Sequence, residues 1–219
     1  MTTNTTTSKK SSDKPTRLYA HVVLDRSGSM ASCADDAVGG YNSYVAQLPG
    51  TSLVSLTLFD SEGVDLIRDG VTPAAAKLNT DEYQPRGWTP LYDAIGHTIV
   101  EAEKRSAGLD RIALVILTDG EENSSREFNR EDIRKLLTDK QEQDGWLIIY
   151  LGANQDAWEV GEKFGSVATN TMSIDSDNIG FALDSAARAT GLYVESLDRQ
   201  SGRRDAAFSK DDRKRALSK

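Results

Sequence analysis

Leu18-Tyr19-Ala20-His21-Val22-Val23-Leu24-Asp25-Arg26-Ser27-Gly28-Ser29-Met30 is the stretch whose reading decides the fold. Leu18 to Leu24 is an almost unbroken apolar run. It reads as a strand buried on both faces, the pattern of a parallel sheet. At Asp25 the strand gives way to a loop in which Asp25, Ser27 and Ser29 recur at every second position. In extended backbone that spacing turns the three side chains to one side. Carboxylate and hydroxyl oxygens that converge are hard ligands, suited to Mg²⁺ or Mn²⁺ rather than to zinc.

Working outward, Asp36 to Leu48 carries Val38, Tyr41, Val45 and Leu48 at helical spacing and ends at Pro49-Gly50. Gly39-Gly40 inside this helix costs roughly 1 kcal/mol per glycine relative to alanine, and close packing against the sheet is one reason to accept that. Ser52 to Phe59 reads as a strand and Gly63 to Arg68 as a shorter one, joined by a hairpin through Asp60–Gly63. Pro73 to Leu78 suggests a helical turn and Asp81 to Trp88 a loop. Thr89 then reads as the N-cap of a helix with Pro90 at its first position. Leu91, Ile95 and Ile99 stack on one face, and the helix runs to about Arg105.

Ile112 to Leu117 is a further buried strand, ending in Thr118-Asp119-Gly120. A helix from Asn129 bears Ile133, Leu136 and Leu137, and Trp146 to Leu151 is the next strand. Asn154 is expected to cap a short helix with Trp158 and Phe164, closed by Gly165. Val167 to Ile174 would hold an edge strand, and Asn178 to Glu195 a last helix interrupted near Thr190-Gly191. The alternation predicts a doubly wound α/β fold: a mostly parallel central sheet, helices on both faces, one antiparallel edge strand. Ligands of such sheets bind at the carboxyl ends of the strands. Asp25 and Asp119 fall at such ends, and right-handed crossovers bring Thr89 to the same side.

The 219 residues with 38% hydrophobic content suit one domain with a real core. A net charge of −8 and a pI near 4.9 disfavour nucleic-acid binding by the folded body. The lone Cys33 excludes an internal disulfide framework. No apolar run approaches a membrane span, and residues 1–16, with no aliphatic residue after Met1, read as a disordered tail rather than a signal-peptide core. The expected compartment is therefore the cytoplasm. Residues 17–197 form the expected domain. Residues 198–219 read as a basic tail, net +4, against −12 for the rest, either solvated and mobile or an electrostatic docking segment.

Asp25-x-Ser27-x-Ser29, Thr89 within GWTPLYDAI and Asp119 within VILTDGEEN resemble the metal-ion-dependent adhesion site of von Willebrand factor A domains. DRSGSM, GGYNSYV, LTLFDSEG, PRGWTPLYDAIG, ILTDGEENSS and YLGANQDAWEVG extend the resemblance over roughly residues 17–195, to stand-alone A-type proteins of bacteria and their phages. The resemblance implies that Ser27, Ser29 and Thr89 give hydroxyl oxygens directly to Mg²⁺ or Mn²⁺. Asp25 and Asp119 would act largely through bound waters, or one of them directly. Neutral direct ligands leave a divalent ion under-neutralised, with a position open to the carboxylate of a protein partner. Arg26, Arg86, Trp88 and Glu121 are candidates for the rim around that position, and Glu122 adds acid nearby.

Taken singly, each position also has an ordinary reading. Asp25 and Ser29 suit loop hydrogen bonds, Thr89 an N-cap, Asp119-Gly120 a turn. His21 and His97 have no His or Cys at ligand spacing, which argues against zinc, and Cys33 reads as a small buried thiol. There is no nucleophile elbow and no phosphate-cradling glycine loop. The expectation is thus a metal-dependent protein-interaction module, not an enzyme. The alternative is a structural component of a virion or other assembly in which the metal only stabilises the loop. Metal-assisted phosphoester hydrolysis lacks a general base.

Overall fold

In the computed structural model, β1 (Leu18–Asp25) is buried along its whole length and runs through the middle of a sheet. Residues 16–105, 109–153, 170–196 and 198–218 are described. The expected tail over residues 1–15, the helix capped by Asn154 and the start of the strand at Val167 lie outside them.

After β1, a 3-10 segment (Gly28–Cys33) leads into α1 (Ala34–Ala46), followed by β2 (Leu53–Asp60) and β3 (Gly63–Val71). Next come α2 (Leu91–Arg105), β4 (Arg111–Thr118), α3 (Arg130–Glu142), β5 (Leu147–Ala153) and β6 (Thr171–Ile174). The chain closes with α4 (Ile179–Glu195), α5 (Arg199–Asp205) and α6 (Lys210–Ala216). Among the described residues the sheet has six strands in the order β3-β2-β1-β4-β5-β6. Every pairing is parallel except the β2–β3 hairpin, so the predicted α/β class and the antiparallel edge strand are both present.

The strand order sets the location of the site. From β1 the chain moves out to β2 and β3, then α2 carries it back across to β4 on the other flank of β1. The order therefore reverses between β1 and β4, where diverging loops leave a crevice beyond the carboxyl ends. Leu24 lies beside both Leu58 and Leu117, so the ends of β1, β2 and β4 are level.

Alternation along β1 feeds two cores. Ala20, Val22 and Leu24 pack towards α1 and α4 with Val38, Tyr41 and Leu183. Tyr19 and Val23 face α2 and α3 with Leu91, Ile95, Ile99, Ile133 and Leu137. His21 is buried among the latter, with Nε2 2.8 Å from Thr57 Oγ1. Asn129 caps α3 and accepts from the N–H groups of Glu131 and Asp132. Gly40 sits where α1 crosses α4: a Cβ there would lie 2.8 Å from Leu183 Cδ1 and 3.3 Å from Gly180 Cα. Gly39 faces open space, and nothing in the structure explains it.

Several expectations are corrected. β3 runs on to Val71, with an irregular register against β2. α4 is continuous through Thr190-Gly191, because the Thr190 hydroxyl donates to Ala186 O and lies 3.3 Å from Tyr44 OH, inside the core. The basic segment after residue 197 is folded. Ala206, Phe208 and Ala216 are buried in the core, while the Arg199 guanidinium donates to the carbonyls of Leu109, Asp110 and Asp144. Two short amphipathic helices supply so few apolar residues that their docking is invisible to periodicity. Arg204, Asp205, Lys210, Asp211, Lys214 and Arg215 stay exposed, while burial lowers Arg203 and Arg213.

Candidate functional site

Five candidate donors come from three segments that the fold brings to the β1/β4 edge. Asp25 ends β1. Its Oδ1 accepts the Ser27 N–H at 2.7 Å and its Oδ2 accepts the Thr118 hydroxyl at 2.5 Å. Ser27 Oγ is 3.1 Å from Ser29 Oγ, and Ser29 Oγ donates to Asp119 Oδ1 at 2.6 Å. Thr89 adjoins them: a Cβ on Gly120 would meet Thr89 Oγ1 at 2.8 Å and Ser29 Oγ at 3.6 Å. Asp25, Ser27, Ser29, Thr89 and Asp119 thus form one oxygen-rich cluster, and Gly120 is the residue that lets its loops close.

Thr89 is not the N-cap expected of it. α2 begins at Leu91, one residue beyond Pro90, and its first N–H groups are taken from elsewhere. Tyr92 N–H donates to Glu122 Oε2 at 2.9 Å and Asp93 N–H to Ser125 Oγ at 3.1 Å. The Thr89 backbone exchanges bonds with Asn123, through Thr89 N–H to Asn123 Oδ1 and Asn123 N–H to Thr89 O. The loop after β4 therefore caps α2 and leaves the Thr89 hydroxyl to the cluster. Asp93 fastens the same loop and accepts the N–H groups of Arg126, Glu127 and Phe128.

Burial pushes the Asp25 carboxyl up to about 6, with hydrogen bonds from Thr118 and Ser27 opposing and the Asp119 charge adding to it. Burial also raises Asp119, opposed by the Ser29 hydroxyl. The site holds two carboxylates in a setting short of positive charge. Among the described residues no group of three or more His, Cys, Asp or Glu is placed to hold a metal, so any ion here would depend on the hydroxyls.

The rim candidates separate. Trp88 is 68% exposed, Glu121 is exposed, and Arg86 is about half exposed. Arg26 does not reach the rim. It is buried, with Nε donating to Asp60 at 2.8 Å and Nη2 to Asp65 at 2.7 Å, which ties the first loop to the β2–β3 turn. Burial alone would raise Asp60, but the Glu62 N–H, Arg86 and Arg26 outweigh it and hold its carboxyl below the usual range. Gly87, at a φ of 66°, lets the Thr89 loop pass against Ser61, where a Cβ would lie 2.0 Å from Ser61 Oγ. Sequence reading missed Thr118, Tyr83, which donates to Asp25 O, and the capping role of Glu122. Thr118 and Glu122 stand inside the motif that carries Asp119, which was the available signal.

No family model and no curated protein matches the sequence; similarity to solved structures, at low identity, carries the comparison. The von Willebrand factor domain of the type V pilus tip protein Mfa5 from Porphyromonas gingivalis superposes with a TM-score of 0.63 at 8% identity, over 84% of this chain and 98% of that one. Proximal thread matrix protein 1 from the mussel byssus gives 0.61 at 16%, over 80% of this chain and 46% of that one. A von Willebrand factor type A protein from Catenulispora acidiphila gives 0.59 at 12%, over 87% and 43%. The chain spans less than half the length of the last two. Its fold is that of the von Willebrand factor A domains. Among the described residues no helix is long and apolar enough to cross a membrane.

Proposed function

We propose that this chain is a divalent-metal-dependent protein-interaction module. Asp25, Ser27, Ser29, Thr89 and Asp119 would hold Mg²⁺ or Mn²⁺, and a partner's Asp or Glu carboxylate would complete the coordination. The observation that carries the reading is the convergence of five oxygen donors from three distant segments at the switch point of the sheet. The donor set fits the group, because hydroxyl and carboxylate oxygens suit a small hard cation. A divalent ion held there supplies an open position for an anionic oxygen. Thr118 and the Ser27 N–H orient Asp25, and Asn123 orients Thr89. Neither histidine is placed as a base at the cluster: His21 is buried in the sheet, and His97 packs on Phe128 with Nε2 3.3 Å from Glu127. The role proposed for the site is adhesion rather than reaction.

Calorimetric titration with Mg²⁺ and Mn²⁺, with and without an Asp-bearing peptide, tests this. Wild type is expected to bind metal and then peptide, while Asp25→Ala and Ser29→Ala bind neither. Peptide affinity indifferent to EDTA and to both substitutions would sink the proposal. If metal instead raised only the melting temperature, the role would be structural, as a component of a larger assembly.

A further inference from the structure

Beside the cluster lies a groove of about 580 Å³ between the β2–β3 turn, the start of α2 and the loop after β4. Pro90, next to Thr89, forms part of its wall, and Ser124, next to Asn123, forms another. The groove thus begins one residue from the candidate donors. Its carboxylates are unequal. Asp60 is matched by Arg26 and Arg86, and Asp93 by three backbone N–H groups. Glu62 and Glu127 keep about two-thirds of their side-chain surface exposed; among the described residues Glu62 pairs with Arg86 and Glu127 with His97. Arg126 is a cation on the same wall. Trp88, the most exposed large apolar side chain among the described residues, stands at the mouth. Ser124 Oγ is buried in the wall, with no hydrogen-bond partner among the described residues.

An exposed indole next to carboxylates that keep most of their surface open is a receptor for a cation: the ring face attracts it and the carboxylates neutralise it. Tryptophan beside a polar rim is also the residue type that anchors protein interfaces. We propose that this groove receives an extended segment of the same partner that ligates the metal site, with a Lys or Arg side chain lying on Trp88 between Glu62 and Glu127. This rests on the metal-dependent reading above. An extended segment advances about 3.3 Å per residue, so the cation sits roughly two to four residues from the ligating Asp or Glu. Specificity then comes from a short acidic-plus-basic motif rather than from a lone carboxylate.

The probes are acetylated, amidated octapeptides with one Asp and one Lys two, three or four residues to either side, the rest being Ala. Affinity is read by NMR shifts, including the Trp88 indole, in Mg²⁺. At the best spacing the Lys peptide is expected to bind about fivefold more tightly than its Lys→Ala control. Trp88→Ala and the Glu62→Gln/Glu127→Gln pair should each remove that advantage, and the Glu62→Gln/Glu127→Gln pair should leave Mg²⁺ affinity unchanged. Equal binding of Lys and Ala peptides at every spacing overturns the groove assignment and leaves the metal reading intact. Binding that survives replacement of the peptide Asp by Asn overturns the metal reading but not the cation groove. Absence of binding by every peptide overturns both. A concentration-dependent dimer lost in Trp88→Ala gives the groove to a second copy of this chain and also overturns the proposal.

Discussion

Glu122→Gln is the substitution that most directly tests how the site is held. The Glu122 carboxylate, half-buried, accepts Tyr92 N–H at 2.9 Å, Ser124 N–H at 2.9 Å, Ser125 N–H at 2.7 Å and the Ser125 hydroxyl at 2.6 Å. Glutamine keeps one carbonyl oxygen and turns an NH₂ group towards donors. About two bonds are lost, each worth roughly 1 kcal/mol at a half-exposed site. Removal of the anion from the N-terminus of α2 adds roughly 0.5 kcal/mol. The expected destabilisation is about 2–3 kcal/mol, or about 5–10 °C in melting temperature for a chain of this size. Urea unfolding followed by circular dichroism measures it. Glu121→Gln, one residue away and exposed, is the control and should stay within about 0.5 kcal/mol. Freeing the loop that carries Asp119 should also weaken Mg²⁺ binding about tenfold. Equal stability for Glu122→Gln and Glu121→Gln would refute the claim that Glu122 clamps the Asp119 loop to α2.

Other consequences follow from packing and charge. Gly40→Ala should destabilise by about 1–2 kcal/mol, as overpacking against Leu183 and Gly180 outweighs the helix-propensity gain. Gly39→Ala, in open space, should stabilise by about 0.5–1 kcal/mol, and thermal melts of the two separate the cases. Phe208→Ala should cost about 3 kcal/mol in urea unfolding, since Phe208 is buried in the core; a mobile terminal segment would show no change. Burial holds His21 at about 3, with Arg105 lowering it further and Asp69 and Glu101 opposing. The unfolded chain therefore binds a proton below pH 6.5 that the native state refuses until about pH 3. Stability falls with acid across that window by up to about 1.4 kcal/mol per pH unit. Asp25, raised to about 6, acts with the opposite sign between pH 3.8 and 6, because its native form is the better proton binder there. The penalty of His21→Gln, measured at pH 7 and pH 4.5, should shrink at the lower pH; a constant penalty would count against a neutral buried imidazole.

Local chemistry was enough for the fold class. Unbroken apolar strands of about eight residues, separated by amphipathic helices, have few architectures that bury both strand faces. Asp25, Ser27, Ser29, Thr89 and Asp119 were legible because each stands where a strand or helix boundary is itself legible. Their convergence followed from the crossover rule. What stayed hidden were partnerships across long separations. Arg26 looked like a rim cation until the hairpin placed Asp60 and Asp65 against it. Thr89 looked like a cap until Glu122 and Ser125 arrived from the loop after β4. Glu121 and Glu122 are chemically identical neighbours, yet one faces solvent and the other clamps two loops. The segment after residue 197 carries a strong charge signal and a weak apolar one, and its last helix, α6, packs against β6 and α4, a surface that exists only in the folded chain. Periodicity reports which face of an element is apolar; it carries no information about which distant donor will meet a given acceptor, because chain closure and packing decide that together.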